Sequence, residues 1–246
     1  MRCAIVSSII LISMASAAQA DLTAFCTVTA SSSAGTASWT SHATPTFDEN
    51  GNATWNWTPA GGASMTDPTN SNQIGVIRWL STEYVADPIV NLNFAVTAGG
   101  LPTLFTITSG LLGFAPIVGE ARATAAMTLT ESDEVGVAST TGAYLGGTAS
   151  YQANLNGAIP AGFPFAFLVR NLASTPTTSD STSEAFPLVG FTPVGVVFSM
   201  QSQFSFTLSP FDQASGTSSF VVREIPAPSA AALMGLGALA LGRRRR

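Results

Sequence analysis

The side chains of Asp48, Asn50 and Asn52 place three oxygen ligands at alternate positions of one short segment. Calcium binds several oxygens that converge from a tight turn, so this spacing is compatible with a calcium loop. The segment departs from the usual calcium-loop sequence, because Ala53 replaces its glycine and Pro59 replaces its final glutamate. We therefore predict a hairpin turn without a metal, and Asp48, Asn50 and Asn52 remain the candidates for calcium binding.

Trp55 and Trp57 are a second candidate pair, because they stand at alternate positions of the sequence TWNWT. Flat aromatic faces pack against sugar rings, so an exposed pair predicts carbohydrate contact, with Trp39 and Trp79 as further members of the platform. The same alternation is typical of a strand that buries its aromatic rings in a sandwich core. Both interpretations stay open at this point.

Groups suited to catalysis are scarce in this sequence. His42 is the single histidine, which excludes a multi-histidine metal site, and no G-x-S-x-G sequence marks a nucleophilic serine. The acidic residues Glu131–Glu134 are interpreted as a solvated loop, with cation binding as the alternative. Pairs of carboxylates for glycoside hydrolysis cannot be recognised without their separation. We predict a non-enzymatic protein with no catalytic residue and no cofactor.

Alternating apolar residues predict the strands that carry these groups, and Asn50-Gly51 is a strong hairpin signal between two of them. The body is rich in Thr, Val, Phe and Gly, which favours strands over helices. We predict an all-β protein with a single β-sandwich domain of jelly-roll type, and a long polar loop over Leu172–Glu184. The clearest predicted strands are Thr54–Thr58, Asn91–Thr97, Ala125–Thr130, Gln203–Leu208 and Ser219–Val222.

The body between Asp21 and Glu224 is strongly acidic and contains no lysine. It carries four arginines against fourteen acidic residues, a formal net charge of −10. Nucleic acids and anionic lipids require a basic surface, so this charge argues against both as partners. Cys26 is the only cysteine in this range, which excludes a disulfide within the body.

The first twenty residues have the three parts of a secretory signal peptide. Arg2 supplies the positive charge, Ala4–Met14 is mostly apolar, and Ala18-Gln19-Ala20 has the A-x-A pattern of a cleavage site. The sequence therefore predicts an exported protein whose signal peptide covers residues 1–20.

The residues from 225 to 246 have a distinctive order. Two prolines, Pro226 and Pro228, precede the uncharged stretch Ser229–Gly242. A helix that spans a membrane needs about 20 apolar residues, so this stretch is short for one. The arginines that follow it would hold its distal end on the cytoplasmic side of the membrane. A plain tail anchor is the alternative to a sorting signal. The basic residues are Arg243, Arg244, Arg245 and Arg246.

This order closely resembles the PEP-CTERM sorting signal of Gram-negative bacteria. In that family a Pro-Glu-Pro sequence, a short hydrophobic helix and a basic terminus are recognised by exosortase, a membrane protease. Pro226 and Pro228 match the two prolines, while Ala227 replaces the glutamate. The resemblance covers about 22 residues. It implies processing by an exosortase-like protease and transient membrane anchoring by the C-terminal helix. It also implies a place at the cell surface, or in extracellular matrix or biofilm beside exopolysaccharide.

These observations predict three parts: a signal peptide at 1–20, a β-sandwich domain at 21–224 and a sorting signal at 225–246. The predicted function is that of an exported, non-enzymatic protein of the cell surface or extracellular matrix. A carbohydrate-binding module that uses exposed tryptophans is the main alternative. A polysaccharide-active enzyme is a further one.

Overall fold

The computed structural model describes residues 26–225, apart from 43, 45, 48, 50–52, 58–61, 86–87 and 135. The signal peptide, the residues from Pro226 onward and the calcium candidates Asp48, Asn50 and Asn52 lie outside the described residues. Within the described part no helix is long and apolar enough to cross a membrane. The strands are β1 (Cys26–Ser32), β2 (Gly35–Ser41), β3 (Thr46–Phe47), β4 (Ala53–Trp57), β5 (Ala63–Thr66), β6 (Gln73–Val85), β7 (Ile89–Ala98), β8 (Thr103–Ser109), β9 (Leu112–Thr130), β10 (Ala138–Gly142), β11 (Ala149–Leu155), β12 (Phe163–Arg170), β13 (Ala173–Ser174), β14 (Ser179–Phe186), β15 (Thr192–Leu208) and β16 (Gln213–Glu224).

The described residues contain strands, turns and bends and no helix, so the prediction of an all-β protein is confirmed. Each of the five predicted strands is observed, in β4, β7, β9, β15 and β16, although Thr58 lies outside the described residues. The strands β3 and β4 pair antiparallel, as expected for the predicted hairpin, although its turn lies outside the described residues.

The predicted polar loop over Leu172–Glu184 is wrong, because this segment contains β13 and most of β14. The strand β14 pairs along its whole length with β9, from Ser179 opposite Thr130 to Phe186 opposite Ala123. From Ser179 to Glu184 its side chains are polar on both faces, so the alternation of apolar and polar residues that marks a half-buried strand is missing. Backbone hydrogen bonds to β9 hold it in place instead.

All strand pairs are antiparallel and form one continuous sheet, which the pairing of β9 with β15 divides into two halves that face each other; we call these halves the first and the second sheet. The first sheet has the order β14-β9-β16-β7-β6, with β4 and β5 beside the two halves of β6. The second has the order β2-β1-β8-β15-β11-β12, with β10 beside the end of β15. The first halves of β9 and β15 pair with each other, and their second halves then enter different sheets. This division explains why both strands are long.

Away from the β9–β15 pairing, the edges of the two sheets meet at two places, which we call the seams. Carboxylates join the sheets at both. At the seam between β2 and β5, Asp67 Oδ2 accepts a hydrogen bond from Thr36 N at 2.7 Å. Neighbouring Gly35 has φ +139°, and a Cβ at that position would lie 2.0 Å from Asp67 Oδ2, so only glycine fits. At the seam between β12 and β14, Glu184 accepts hydrogen bonds from the backbone nitrogens of Val169 at 3.0 Å and Arg170 at 2.9 Å. The two sheets therefore form a nearly closed antiparallel structure.

Aromatic rings fill the space between the sheets. The ring of Phe94 in the first sheet lies 4.9 Å from that of Phe204 and 5.8 Å from that of Phe206, both in the second sheet. Phe220 of the first sheet stacks in the same way on Phe165 of the second, at 5.4 Å. Edge and offset contacts at these distances add to the free energy of burial, so the rings fix the two sheets against each other.

Candidate functional site

The outer face of the first sheet presents rows of small polar side chains. Residues directly opposite each other in an antiparallel pair share a face, so the register of the five strands defines each row. We call this surface the polar face. Its rows are Glu83, Asn91, Ser219, Thr124 and Ala185; then Ser81, Asn93, Thr217, Ala126 and Ser183; then Trp79, Ala95, Ser215, Thr128 and Ser181.

A groove of about 380 Å³ crosses the polar face. Its middle is lined by the small residues Thr124, Ala126 and Ser219, and longer side chains stand at the β6 side. Because the central side chains are short, the groove lies open above β9 and β16. Its volume falls within the range of roughly 300–1,000 Å³ that is usual for ligand sites.

Hydrogen bonds orient the longer side chains of the groove. Asn91 Nδ2 donates to Glu83 Oε2 at 3.0 Å, which holds this carboxylate against the sheet. The hydroxyl of Thr217 donates to the side-chain oxygen of Asn93 on the neighbouring strand. The amide nitrogen of Asn93 is thus left to donate elsewhere. Glu83 is the only carboxylate among the described residues that line the groove.

Trp79 stands beside this groove and is 43% exposed. A second hollow of about 300 Å³ contains Trp79 and shares Asn93, Ala126 and Thr217 with the groove. The residue opposite Trp79 on β7 is Ala95, whose methyl group leaves the indole uncovered. An aromatic face therefore adjoins a polar groove on one continuous surface.

A β-bulge in β6 places Trp79 on the polar face. Gly75 and Ile77 are buried, so strict alternation would turn Trp79 inward as well. The register with β7 shifts between Ile77 and Trp79, which leaves Arg78 and Trp79 both exposed. An extra residue in one strand re-aims the side chains that follow it. Sequence alternation alone could not have revealed this change.

The other predicted carbohydrate contacts occupy different places. Trp39 on β2 of the second sheet is partly buried and packs against the core. Trp55 pairs in register with Tyr84, and Trp57 with Thr82, so the backbone puts both at the edge of the first sheet. The platform predicted for Trp55 and Trp57 stays a prediction.

The acidic cluster predicted as a solvated loop has two parts. Ser132 and Glu134 are exposed, but the prediction is wrong for Glu131, which is 6% exposed. Its two carboxylate oxygens accept hydrogen bonds from Asp133 N at 3.0 Å and Thr177 N at 2.9 Å. Burial of this carboxylate is thus explained by the turn that it stabilises.

Asp212 comes near Glu131 and Asp133, and the three carboxylates offer oxygens within 4.8 Å of one another. Asp212 Oδ1 accepts from Ser132 N at 3.2 Å, and Oδ2 accepts from the hydroxyl of Ser209. Hydrogen bonds from other protein groups therefore account for the burial of Asp212, as they do for that of Glu131. His42 lies apart from this cluster, exposed just after β2.

No protein-family model and no curated protein matches the chain. Its structure is similar to a chain from the structure of the infectious bursal disease virus Gt strain, with 10% sequence identity and a TM-score of 0.25. The likeness covers 92% of this chain and 72% of the viral one. A TM-score this low carries no argument about fold or function.

Proposed function

We propose that the chain is an exported, non-enzymatic protein of the cell surface or extracellular matrix whose polar face binds polysaccharide. The observation that carries this proposal is the exposed indole of Trp79 beside a groove of Asn, Thr, Ser and Glu side chains. A sugar ring has an apolar face that packs on an aromatic ring and hydroxyl groups that both donate and accept hydrogen bonds. The polar face provides both kinds of partner side by side.

The dimensions of the polar face suit an extended chain of sugars. Five strands lie side by side from β6 to β14, and a spacing of about 4.8 Å between strands gives about 19 Å across the sheet. Small side chains along this path allow a polymer to lie against the sheet without moving the backbone. We therefore expect several consecutive sugar units to be contacted.

The charge of the site favours a neutral polysaccharide. Glu83 contributes a negative charge to the groove, and no arginine is among the described residues that line it. An acidic polymer would be repelled by Glu83 and by the acidic body as a whole. A single groove carboxylate also favours binding over glycoside hydrolysis, which uses a pair of carboxylic acids.

The export part of the proposal rests on the two terminal sequences. We propose a jelly-roll-like sandwich between a signal peptide at 1–20 and a sorting signal read by an exosortase-like membrane protease at Pro226, Pro228 and the four arginines. The last described strand, β16, ends at Glu224, so the proposed signal follows it closely. Mass spectrometry of envelope and medium fractions should find the protein shortened near Pro226–Pro228. Mature protein that uniformly retains Arg246 would refute the processing.

Binding is tested by titrating neutral and acidic polysaccharides against the protein and its Trp79→Ala variant. Loss of the ring contact should weaken binding of a neutral polymer by about ten-fold, the equivalent of about 1.4 kcal/mol. Phe211→Ala is the matched control, because this ring is also exposed but lies outside the polar face. Equal affinity of Trp79→Ala and the unaltered protein would refute the site.

A further inference from the structure

One end of the structure collects a large share of its exposed apolar side chains. Leu188 is 79% exposed and Val189 is 84% exposed, and both belong to the connection between β14 and β15. We call this surface the apolar end. Its members are Leu111, Val118, Phe163, Phe186, Leu188, Val189, Val196 and Phe198.

Strand register brings these residues to the same end. Val118 on β9 is directly opposite Val196 on β15, so their side chains form a cross-strand pair. The ring of Phe186, at the end of β14, lies 5.3 Å from that of Phe165 near the start of β12. A cleft of about 540 Å³ opens between these elements, lined by Leu155, Phe163, Pro164, Phe165, Phe186 and Val194 among others.

The chain leaves the described structure at this same end. Ile225 N donates to Val118 O at 2.9 Å, which places Ile225 beside the pair of Val118 and Val196. Four residue steps lead from Ile225 to Ser229, where the uncharged stretch Ser229–Gly242 begins. At no more than about 3.6 Å per residue, that stretch must begin within about 14 Å of Ile225. The exposed apolar surface and the apolar stretch are therefore neighbours.

Two of the charged groups at the apolar end compensate each other, and exposed Glu224, opposite Gly119, adds one negative charge. Arg223 pairs with Glu120 at 2.6 Å, and its guanidinium lies 3.9 Å above the ring of Phe191. The negative charge that opposes contact with anionic lipid is carried mainly by the rest of the body. This distribution is compatible with a zwitterionic lipid surface at this end.

We propose that the apolar end rests on a lipid bilayer while the stretch Ser229–Gly242 is inserted in it. The inference deepens the proposed envelope function, because it requires that the precursor is held at a membrane by this stretch. Exposed Leu, Val and Phe side chains enter the interfacial region, where burial of their apolar area stabilises the contact. The bilayer is the occupant that the neighbouring apolar stretch and its arginines bring within reach.

The orientation is tested with two single-tryptophan additions to the full chain, Val189→Trp and Val137→Trp. Both valines are exposed, but Val137 follows the other end of β9, at Thr130, which is about 40 Å from Val118 measured along the strand at about 3.3 Å per residue. Each variant is bound to phosphatidylcholine vesicles with brominated acyl chains. We expect the fluorescence added by Val189→Trp to fall at least two-fold and that added by Val137→Trp to stay unchanged.

A second measurement uses the double variant Leu188→Ser, Val189→Ser, with Val137→Ser as its control. The double variant should bind the same vesicles about ten-fold more weakly, and the control should bind as the unaltered chain does. Thermal unfolding confirms that each variant is folded.

Three results would overturn the inference. Equal quenching at positions 189 and 137 would remove the orientation. An unquenched Val189→Trp in vesicle-bound protein would mean that the chain itself covers this surface. A dimer in solution that the double serine variant converts to monomer would make a second copy the occupant. Polysaccharide titration and tail processing do not depend on these outcomes, so the two proposals can fail separately.

Discussion

Replacing Gly216 by alanine tests how closely the polar face is packed onto the core beneath it. Gly216 lies on β16 directly opposite Phe94 of β7. A Cβ at this position would lie 2.5 Å from Phe94 Cε1 and 2.6 Å from Cζ, whereas ordinary contacts begin near 3.4 Å. The ring must therefore move by about 1 Å, and it is held by Phe204 and Phe206 on the facing sheet.

Two effects of opposite sign decide the magnitude. Overpacking of a filled core costs about 1–3 kcal/mol, while replacement of glycine by alanine in a relaxed backbone returns about 0.4–1 kcal/mol. The clash is the larger effect, so we expect Gly216→Ala to lower the free energy of unfolding by about 1–2 kcal/mol. For a domain of this size the midpoint of thermal unfolding should fall by about 3–6 °C.

The matched control is Gly113→Ala, because no atom lies within 4 Å of a Cβ built at Gly113. This variant should be as stable as the unaltered protein or slightly more so. Calorimetry or circular dichroism of both variants gives the comparison. If Gly216→Ala unfolds at the same temperature as Gly113→Ala, the close approach between Phe94 and β16 is refuted.

Three further predictions concern the seams and the buried thiol. Hydrogen bonds from the Thr69 hydroxyl and from backbone N–H groups lower the pKa of Asp67 to about 2. The contribution of Asp67 to stability is therefore complete above the unfolded pKa of 3.8 and is lost as the pH falls towards 2. Between pH 5 and pH 2 the midpoint temperature of thermal unfolding should fall less steeply in Asp67→Asn than in the unaltered protein. Glu184→Gln leaves one of two backbone N–H groups of β12 without an acceptor, which should lower the free energy of unfolding by about 1–3 kcal/mol. An unchanged midpoint of urea unfolding would contradict the role of this seam. Burial raises the pKa of the Cys26 thiol, so peptide mass spectrometry should find Cys26 unmodified by iodoacetamide at pH 8 until the protein is unfolded.

The strands that sequence identified are those with one buried and one solvated face. In β7 the residues Leu92, Phe94 and Val96 are buried while their neighbours are not, which is the pattern that alternation detects. The strand β11 could not be found in this way, because all of its residues are buried, including Gln152 and Asn154. Gln152 Nε2 donates to Asn154 Oδ1 at 2.7 Å, which lowers the cost of burying these two atoms, and such pairing is invisible in the sequence.

The polar face was beyond prediction for a different reason. It combines residues of five strands, from Glu83 on β6 to Ser183 on β14, which strand register alone brings together. Trp55 and Trp57 stand out in the sequence because they are close in the chain. Trp79 stands out there only as one of four tryptophans, since the bulge that turns its ring outward depends on pairing with β7.

The carboxylates at the two seams also bear on self-assembly. An open strand edge presents unpaired N–H and C=O groups, and a second chain can extend the sheet there and begin a fibre. Asp67 and Glu184 instead engage backbone N–H groups of β2 and β12 within the same chain. In the matrix proposed above, crowded copies would thus find these donors already occupied. The proposed polysaccharide, rather than strand addition at these two edges, would then hold such copies together.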